Sequence, residues 1–146
     1  MFKSIVVGSD GSHTSALAVQ RAAELAKSCG ATLHIVNVCK PAGTVMASPE
    51  AMAMAAVVQA GEDAQRQVVQ DLEHAASTAK REGVAVETHG RIGDPAAVIL
   101  HVAEDTNADL IVLGNRGMKG ARRILGSVPN AVAHRADCAV MIVPTF

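Results

Sequence analysis

Residues 5–12 form the most informative stretch for the fold, with the sequence Ile5-Val6-Val7-Gly8-Ser9-Asp10-Gly11-Ser12. It opens on three consecutive β-branched residues. A run that is apolar at every position is typical of a strand buried on both faces of a parallel sheet. Gly and Ser then indicate a loop, and Ser12 is a good N-cap. The stretch therefore predicts a buried strand, a loop and the start of a helix in succession.

Four further runs are rich in β-branched residues and mostly nearly continuous in apolar character, at residues 33–38, 84–87, 110–113 and 140–143. Segments of helical length separate them. The first covers residues 13–29 and stops before Gly30, the second covers about 62–81, the third starts with Asp94 as N-cap and Pro95, and the fourth begins near Ser127. This alternation predicts an α/β fold, a single-domain three-layer sandwich around a five-stranded parallel sheet.

The connection after the second strand is longer than the others. Residues 40–61 are rich in Ala, Met, Gly and Pro. We interpret them as a long loop inside one domain that spans residues 1–146, and the second half of the segment also fits a helix.

Composition argues against several classes of function. Thirteen Lys and Arg against fourteen Asp and Glu give a net charge of -1, and the chain has no Trp or Tyr, so a nucleic-acid binder is not expected. No apolar run reaches membrane-spanning length, and no signal peptide is visible. Three widely spaced cysteines fit a cytoplasmic protein. The six histidines show no helical pairing, so we predict no metal site.

The segment after the fourth run carries the clearest chemistry. Gly114, Gly117 and Gly126 allow backbone amides to approach a ligand, and Ser127 stands where the last helix should begin. Basic residues accumulate between these glycines, at Arg116, Lys119, Arg122 and Arg123. A phosphate site and a solvated basic loop both fit this pattern. Neither the Walker spacing nor GxGxxG is present.

These residues resemble a known family. Gly114-Asn115-Arg116-Gly117, Gly126-Ser127-Val128 and Ile142-Val143-Pro144 are similar to the C-terminal signature of universal stress proteins, and residues 5–12 resemble that family's first strand and loop. The resemblance implies the adenine nucleotide α-hydrolase-like fold, with strand order 3-2-1-4-5. It also implies a homodimer formed through the last strand, Ala139 to Val143.

One branch of the family binds ATP through G-x2-G-x9-G-[ST]. This chain has Gly114-x2-Gly117 and then eight residues, not nine, before Gly126-Ser127. The shorter loop displaces the Gly126 amides by up to about 3 Å. Since every glycine and the serine of the motif are present, we assign the chain to the ATP-binding branch.

The resemblance implies that ATP, with Mg²⁺ held through its phosphates, binds at the loops that follow the strands. Asp10 would contact the adenine or ribose side, and Val38 would offer its backbone groups to the adenine edge. Gly114 and Gly117 would line the ribose and phosphates. The predicted nucleotide-binding set is Gly8, Ser9, Asp10, Val38, Gly114, Arg116, Gly117, Gly126, Ser127 and Val128.

The expected function is therefore an ATP-binding stress-response or regulatory protein. Three alternatives stay open: a cyclic AMP-binding protein, a slow ATPase or self-phosphorylating protein, and an interaction module whose nucleotide site has degenerated and whose protein partner is unknown. No catalytic residue is assigned, because the loop after the fourth strand offers no obvious base. Asp10 also fits a plain role as a turn cap.

Overall fold

The computed structural model describes residues 1–39, 51–115 and 127–144. The elements in these ranges are β1 (Ser4–Gly8), α1 (His13–Cys29), β2 (Thr32–Cys39), α2 (Ala51–Arg81), β3 (Ala85–Ile92), α3 (Pro95–Asp105), β4 (Leu110–Gly114), α4 (Ser127–Arg135) and β5 (Ala139–Val143). The strands form one parallel sheet in the order β3-β2-β1-β4-β5. This confirms the predicted fold class and strand order.

Helices cover both faces of the sheet. One core cluster joins α1 and α2 to Ile5 and Val7 of β1 and to the residues of β2 on that face. A second cluster joins α3 and α4 to Val6, Val36 and Ile111 on the opposite face. Because Ile5, Val6 and Val7 are all fully buried, β1 is enclosed on both faces, as its unbroken apolar run predicts.

The ends of two helices follow the sequence signals. The Ser12 Oγ accepts a hydrogen bond from the Ser15 backbone N–H at 3.2 Å, and Gly30 ends α1 in the left-handed conformation with φ +66°. At α3 the Asp94 carboxylate accepts from the Ala97 N–H at 2.9 Å, and Pro95 is the first helical residue. Both N-caps and the glycine stop are therefore confirmed.

β3 is longer than the predicted run of residues 84–87. It extends from Ala85 to Ile92 and is paired in register with β2 over its whole length. Most of its residues are exposed, because β3 lies at the edge of the sheet. The second half of β3 carries polar side chains. The backbone pairing with β2 therefore continues past the point where the apolar pattern that predicts a strand has ended.

α2 begins earlier than the predicted helix of residues 62–81. It starts at Ala51 and continues for 31 residues to Arg81, so the second half of residues 40–61 follows the helical alternative. Alanine and methionine are strong helix formers, and no glycine or proline interrupts residues 51–60. The first half of the predicted loop falls outside the described residues. Within the described ranges, no helix, α2 included, combines the length and apolar character needed to cross a membrane.

Gly61→Ala tests the early start of α2. Residue 61 lies inside the helix, and an added Cβ meets no atom within 4 Å. We expect the free energy of unfolding to rise by up to about 1 kcal/mol, because alanine restricts the unfolded chain and favours the helix. Urea unfolding measures the change.

Gly30→Ala is the matched control, because it also adds a methyl group into open space but at φ +66°. It should lower stability by about 1–2 kcal/mol, the cost of a left-handed alanine. If Gly61→Ala were neutral or destabilising, residue 61 would not be helical.

Candidate functional site

The strand order creates a crevice between β1 and β4. The chain leaves β1 toward β2 on one side of the sheet and leaves β4 toward β5 on the other. The strand order therefore reverses between β1 and β4, and open parallel sheets bind ligands at the carboxyl ends of the strands at such a point. Helices that connect parallel strands run antiparallel to them, so α1 and α4 both begin at the carboxyl ends of the strands.

Gly8 closes β1 where the sheet packs tightly. A Cβ on this residue would lie 2.8 Å from Leu113 Cδ2 and 3.1 Å from Ile99 Cδ1, and both of those side chains are buried. The Ser9 N–H donates to the Val36 carbonyl oxygen at 2.8 Å. Gly8 and Ser9 thus fix the path of the chain into the crevice.

Asp10 organises the loop that follows. Its Oδ1 accepts hydrogen bonds from the Ser12 backbone N–H at 3.1 Å and from the Ser12 hydroxyl. Ser12 in turn caps α1. The structure therefore supports the turn-capping role for Asp10, while a contact of its carboxylate with a ligand stays a prediction.

Gly11 lies against α2. Its φ is +75°, and a Cβ on it would overlap the Asp71 carboxylate. The same carboxylate accepts from Gln67 Nε2 at 2.9 Å. A side chain at position 11 would therefore have to displace the Asp71 side chain, and the positive φ favours glycine there.

Val38 lies where β2 extends beyond the end of β1. The last paired residues of these strands are Gly8 and Val36, and the Val36 carbonyl faces β1. Alternate residues of a strand direct their peptide groups to the same side, so those of Val38 point into the space beyond Ser9. That orientation suits a contact between the backbone and an adenine edge.

The β4 side of the crevice is described in part. Gly114 pairs with Val143 at the end of the sheet, and the next N–H, of Asn115, donates to the Val143 carbonyl at 3.1 Å. Ser127 is exposed at the start of α4, and Val128 packs partly against the second core cluster. The predicted residues Arg116, Gly117 and Gly126 lie outside the described residues.

Two buried polar residues were not selected from the sequence. Asn37 and Asn115 are each only 4% exposed, near the carboxyl ends of β2 and β4. An amide in or directly after a strongly apolar run is the signal that points to them, because buried polar groups need hydrogen-bond partners. Asp71 was also missed, since nothing in the sequence links it to Gly11.

The comparisons with known proteins agree with this architecture. The model of the universal stress protein family matches residues 1–144. Universal stress protein YxiE of Bacillus subtilis is 33% identical over 147 residues, covering 98% of this chain and 99% of that protein. The chain belongs to the universal stress protein family. Universal stress protein Rv1636 of Mycobacterium tuberculosis is also 33% identical and covers 99% of this chain and 97% of its own.

Solved structures of universal stress proteins share the fold over the whole chain. One in complex with cAMP is 31% identical, with a TM-score of 0.72 over 99% of this chain and 98% of its own. One from Archaeoglobus fulgidus in complex with dAMP is 25% identical, with a TM-score of 0.66 over 96% of each chain. The structure of MJ0577 superposes with a TM-score of 0.83 over 99% of this chain and 96% of its own at 20% identity, which shows the fold alone.

Gly11→Ala tests the packing of the first loop of this universal stress protein domain. We expect a loss of about 1–2 kcal/mol from the left-handed backbone, and a further loss because the methyl group displaces Asp71. The double variant Gly11→Ala/Asp71→Ala lacks the carboxylate that the methyl group would displace, so only the cost of the left-handed backbone should remain. Urea unfolding of the two single variants and the double variant measures the coupling. Losses that simply add would contradict the contact between Gly11 and Asp71.

Proposed function

We propose that this chain binds an adenine nucleotide in the crevice between β1 and β4 and acts as a regulatory or stress-response protein. The ligand we favour is ATP, with Mg²⁺ bound through the phosphates. The observation that carries the proposal is the convergence of the loop after β1, the outward peptide groups of Val38 and the start of α4 on one edge of the sheet.

The chemistry of this edge suits a purine nucleotide. Peptide groups such as those of Val38 recognise the donor and acceptor pattern of an adenine without an aromatic side chain, and the chain has no Trp or Tyr. The N-terminus of α4 at Ser127 favours an anion through the helix dipole and the backbone amides of its first turn. An adenine nucleotide meets both requirements, because it carries an adenine and a phosphate in one molecule.

The solved relatives bound to cAMP and dAMP support the class of ligand but differ in phosphate content. We favour ATP because the chain carries Gly114, Gly117, Gly126 and Ser127 of the family's ATP motif, together with four basic residues between positions 116 and 123. Several cations in one short segment suit a triphosphate better than a cyclic monophosphate. Cyclic AMP is therefore the second candidate, supported by the 31% identical structure.

Fast ATP hydrolysis is not part of the proposal. Among the predicted nucleotide-binding residues, Asp10 is the one carboxylate, and its Oδ1 holds the turn at Ser12. Hydrolysis needs a group that positions the attacking water in line with the γ-phosphate, and no residue is assigned that role. The proposal is therefore limited to slow turnover at most.

The nucleotide is tested first on freshly purified protein, by denaturing it and identifying any released nucleotide by mass spectrometry. Calorimetry with ATP and cAMP then compares the wild type with Gly126→Asp and Ser127→Asp. We expect each added carboxylate to weaken ATP binding by about tenfold or more, since a like charge beside the phosphates costs at least about 1.4 kcal/mol.

Ser77→Asp is the matched control for this measurement. It adds the same charge near the C-terminal end of α2, at the opposite edge of the sheet, and should leave the affinity unchanged. Unchanged affinity in all three variants would refute the phosphate assignment. No binding of either nucleotide would instead favour the interaction module.

We also propose that two copies associate through β5. This strand ends the sheet, and on the α1 side its residues Ala139 and Met141 are exposed, Met141 to 39%. A groove of about 430 Å³ runs between this face and α1, lined by Leu25, Ser28 and the residues of β5 from Met141 onward. An apolar edge strand beside an open groove is a surface that a second copy would cover.

Met141→Glu tests the proposed dimer by light scattering after size-exclusion chromatography. The wild type should elute at twice the chain mass of 15.0 kDa, and the variant should elute as a monomer because two buried carboxylates would face each other. Val69→Glu replaces an apolar residue of α2 that is 53% exposed, and it should leave the dimer intact. A monomeric wild type at micromolar concentration would disprove the association.

A further inference from the structure

A cluster of metal-ligating side chains lies away from the crevice, on β2 and β3. His34 pairs in register with Glu87, and Val36 pairs with His89. Side chains two residues apart share a face of the sheet, so His34, Glu87 and His89 all lie on the face of the second core cluster, to which Val36 belongs. The sheet thus brings together two histidines that are 55 residues apart in the sequence.

The distances between these side chains match a metal site. His34 Nδ1 lies 3.1 Å from His89 Nε2 and 3.5 Å from Glu87 Oε2. All three atoms lie within 4.8 Å of one another. In a tetrahedral zinc site with bonds of about 2.0–2.1 Å, neighbouring ligand atoms are about 3.3 Å apart. The separations are therefore close to those of such a site. An ion would replace the hydrogen bond between the two imidazoles, and the proton of that bond would move to the other nitrogen of its ring.

The surroundings hold one ligand firmly and leave the others within reach of solvent. His34 is 5% exposed, whereas 64% of the Glu87 side chain is exposed and His89 is half-buried. Because the His34 imidazole is buried, the surrounding side chains restrict its position. An ion could enter from the solvent-exposed side of the cluster, at β3. A water completes the coordination of such a three-ligand site.

The surroundings favour the neutral form of both imidazoles. Burial lowers the pKa of His34, and burial together with the neighbouring His34 and Arg91 lowers the pKa of His89. Glu87 acts on both rings in the opposite direction, and Asp105 does so on His89. Neutral imidazole is a preferred ligand of Zn²⁺ and its neighbours in the first transition series.

We propose that His34, Glu87 and His89 form a binding site for one divalent transition-metal ion, with Zn²⁺ as its representative. His34 would bind through Nδ1, His89 through Nε2 and Glu87 through its carboxylate. This site is independent of the nucleotide crevice and revises the prediction of no metal site, which considered only spacing along the sequence. The ion would tie the exposed edge strand β3 to the buried strand β2.

The test is a titration of the untagged, full-length protein with Zn²⁺ alone, in competition with a coloured chelator and without nucleotide. We expect one ion per chain in the wild type. His89→Ala should weaken binding by about tenfold or more, and Glu87→Gln should weaken it by a smaller factor. His74→Ala removes an exposed histidine of α2 and should bind like the wild type. Equal affinity in the wild type and His89→Ala, or no binding to the wild type, would overturn the proposal.

A second measurement on the unaltered chain covers the case in which a variant does not fold. Two-bond ¹H–¹⁵N correlation spectra distinguish the two nitrogens of each imidazole ring. Addition of Zn²⁺ should shift the His34 Nδ1 and the His89 Nε2 resonances together at one equivalent. If both rings kept their signals unchanged, the cluster would be a hydrogen-bonded histidine pair and nothing more.

Discussion

The complete burial of β1 is the constraint on which the rest of the structure depends. Ile5, Val6 and Val7 have no exposed surface, and successive residues of a strand face opposite sides of the sheet. Both faces must therefore be covered, which α1 and α2 do on one side and α3 and α4 on the other. Strands are then added on both sides of β1, so the strand order reverses between β1 and β4. The crevice at the carboxyl ends of these two strands is the geometric result.

Sequence patterns identified the elements whose burial is complete and missed parts of those whose burial is partial. The central strands were found because nearly every position is apolar. The second half of β3 was missed because an edge strand is held by backbone hydrogen bonds to β2, which any side chain allows. The first turns of α2 stayed open between loop and helix, since alanine and methionine suit a helix and a flexible segment equally in a one-dimensional pattern.

The candidate site also has features that the local sequence predicts and features that it does not. Glycine, serine and aspartate after β1 indicated the loop, because these residues have specific turn chemistry. The contact of Gly11 with Asp71 and the burial of Asn37 and Asn115 arise only when separate elements pack together. The histidine pair is the clearest case, because register across two strands, and not spacing along one, brings His34 to His89.

β2 carries both proposed sites. Val38 lies four residues beyond His34, about 13 Å along the strand. Coupling between the two sites would require an element with two arrangements that both ligands bias. β2 is paired with β3 over its whole length but with β1 only as far as Val36, so Val38 lies beyond the part of the strand that has a neighbour on both sides. An ion held by His34, Glu87 and His89 would therefore stabilise the pairing of β2 with β3, whereas the proposed contact of Val38 with a nucleotide would use the side of β2 that β1 leaves open.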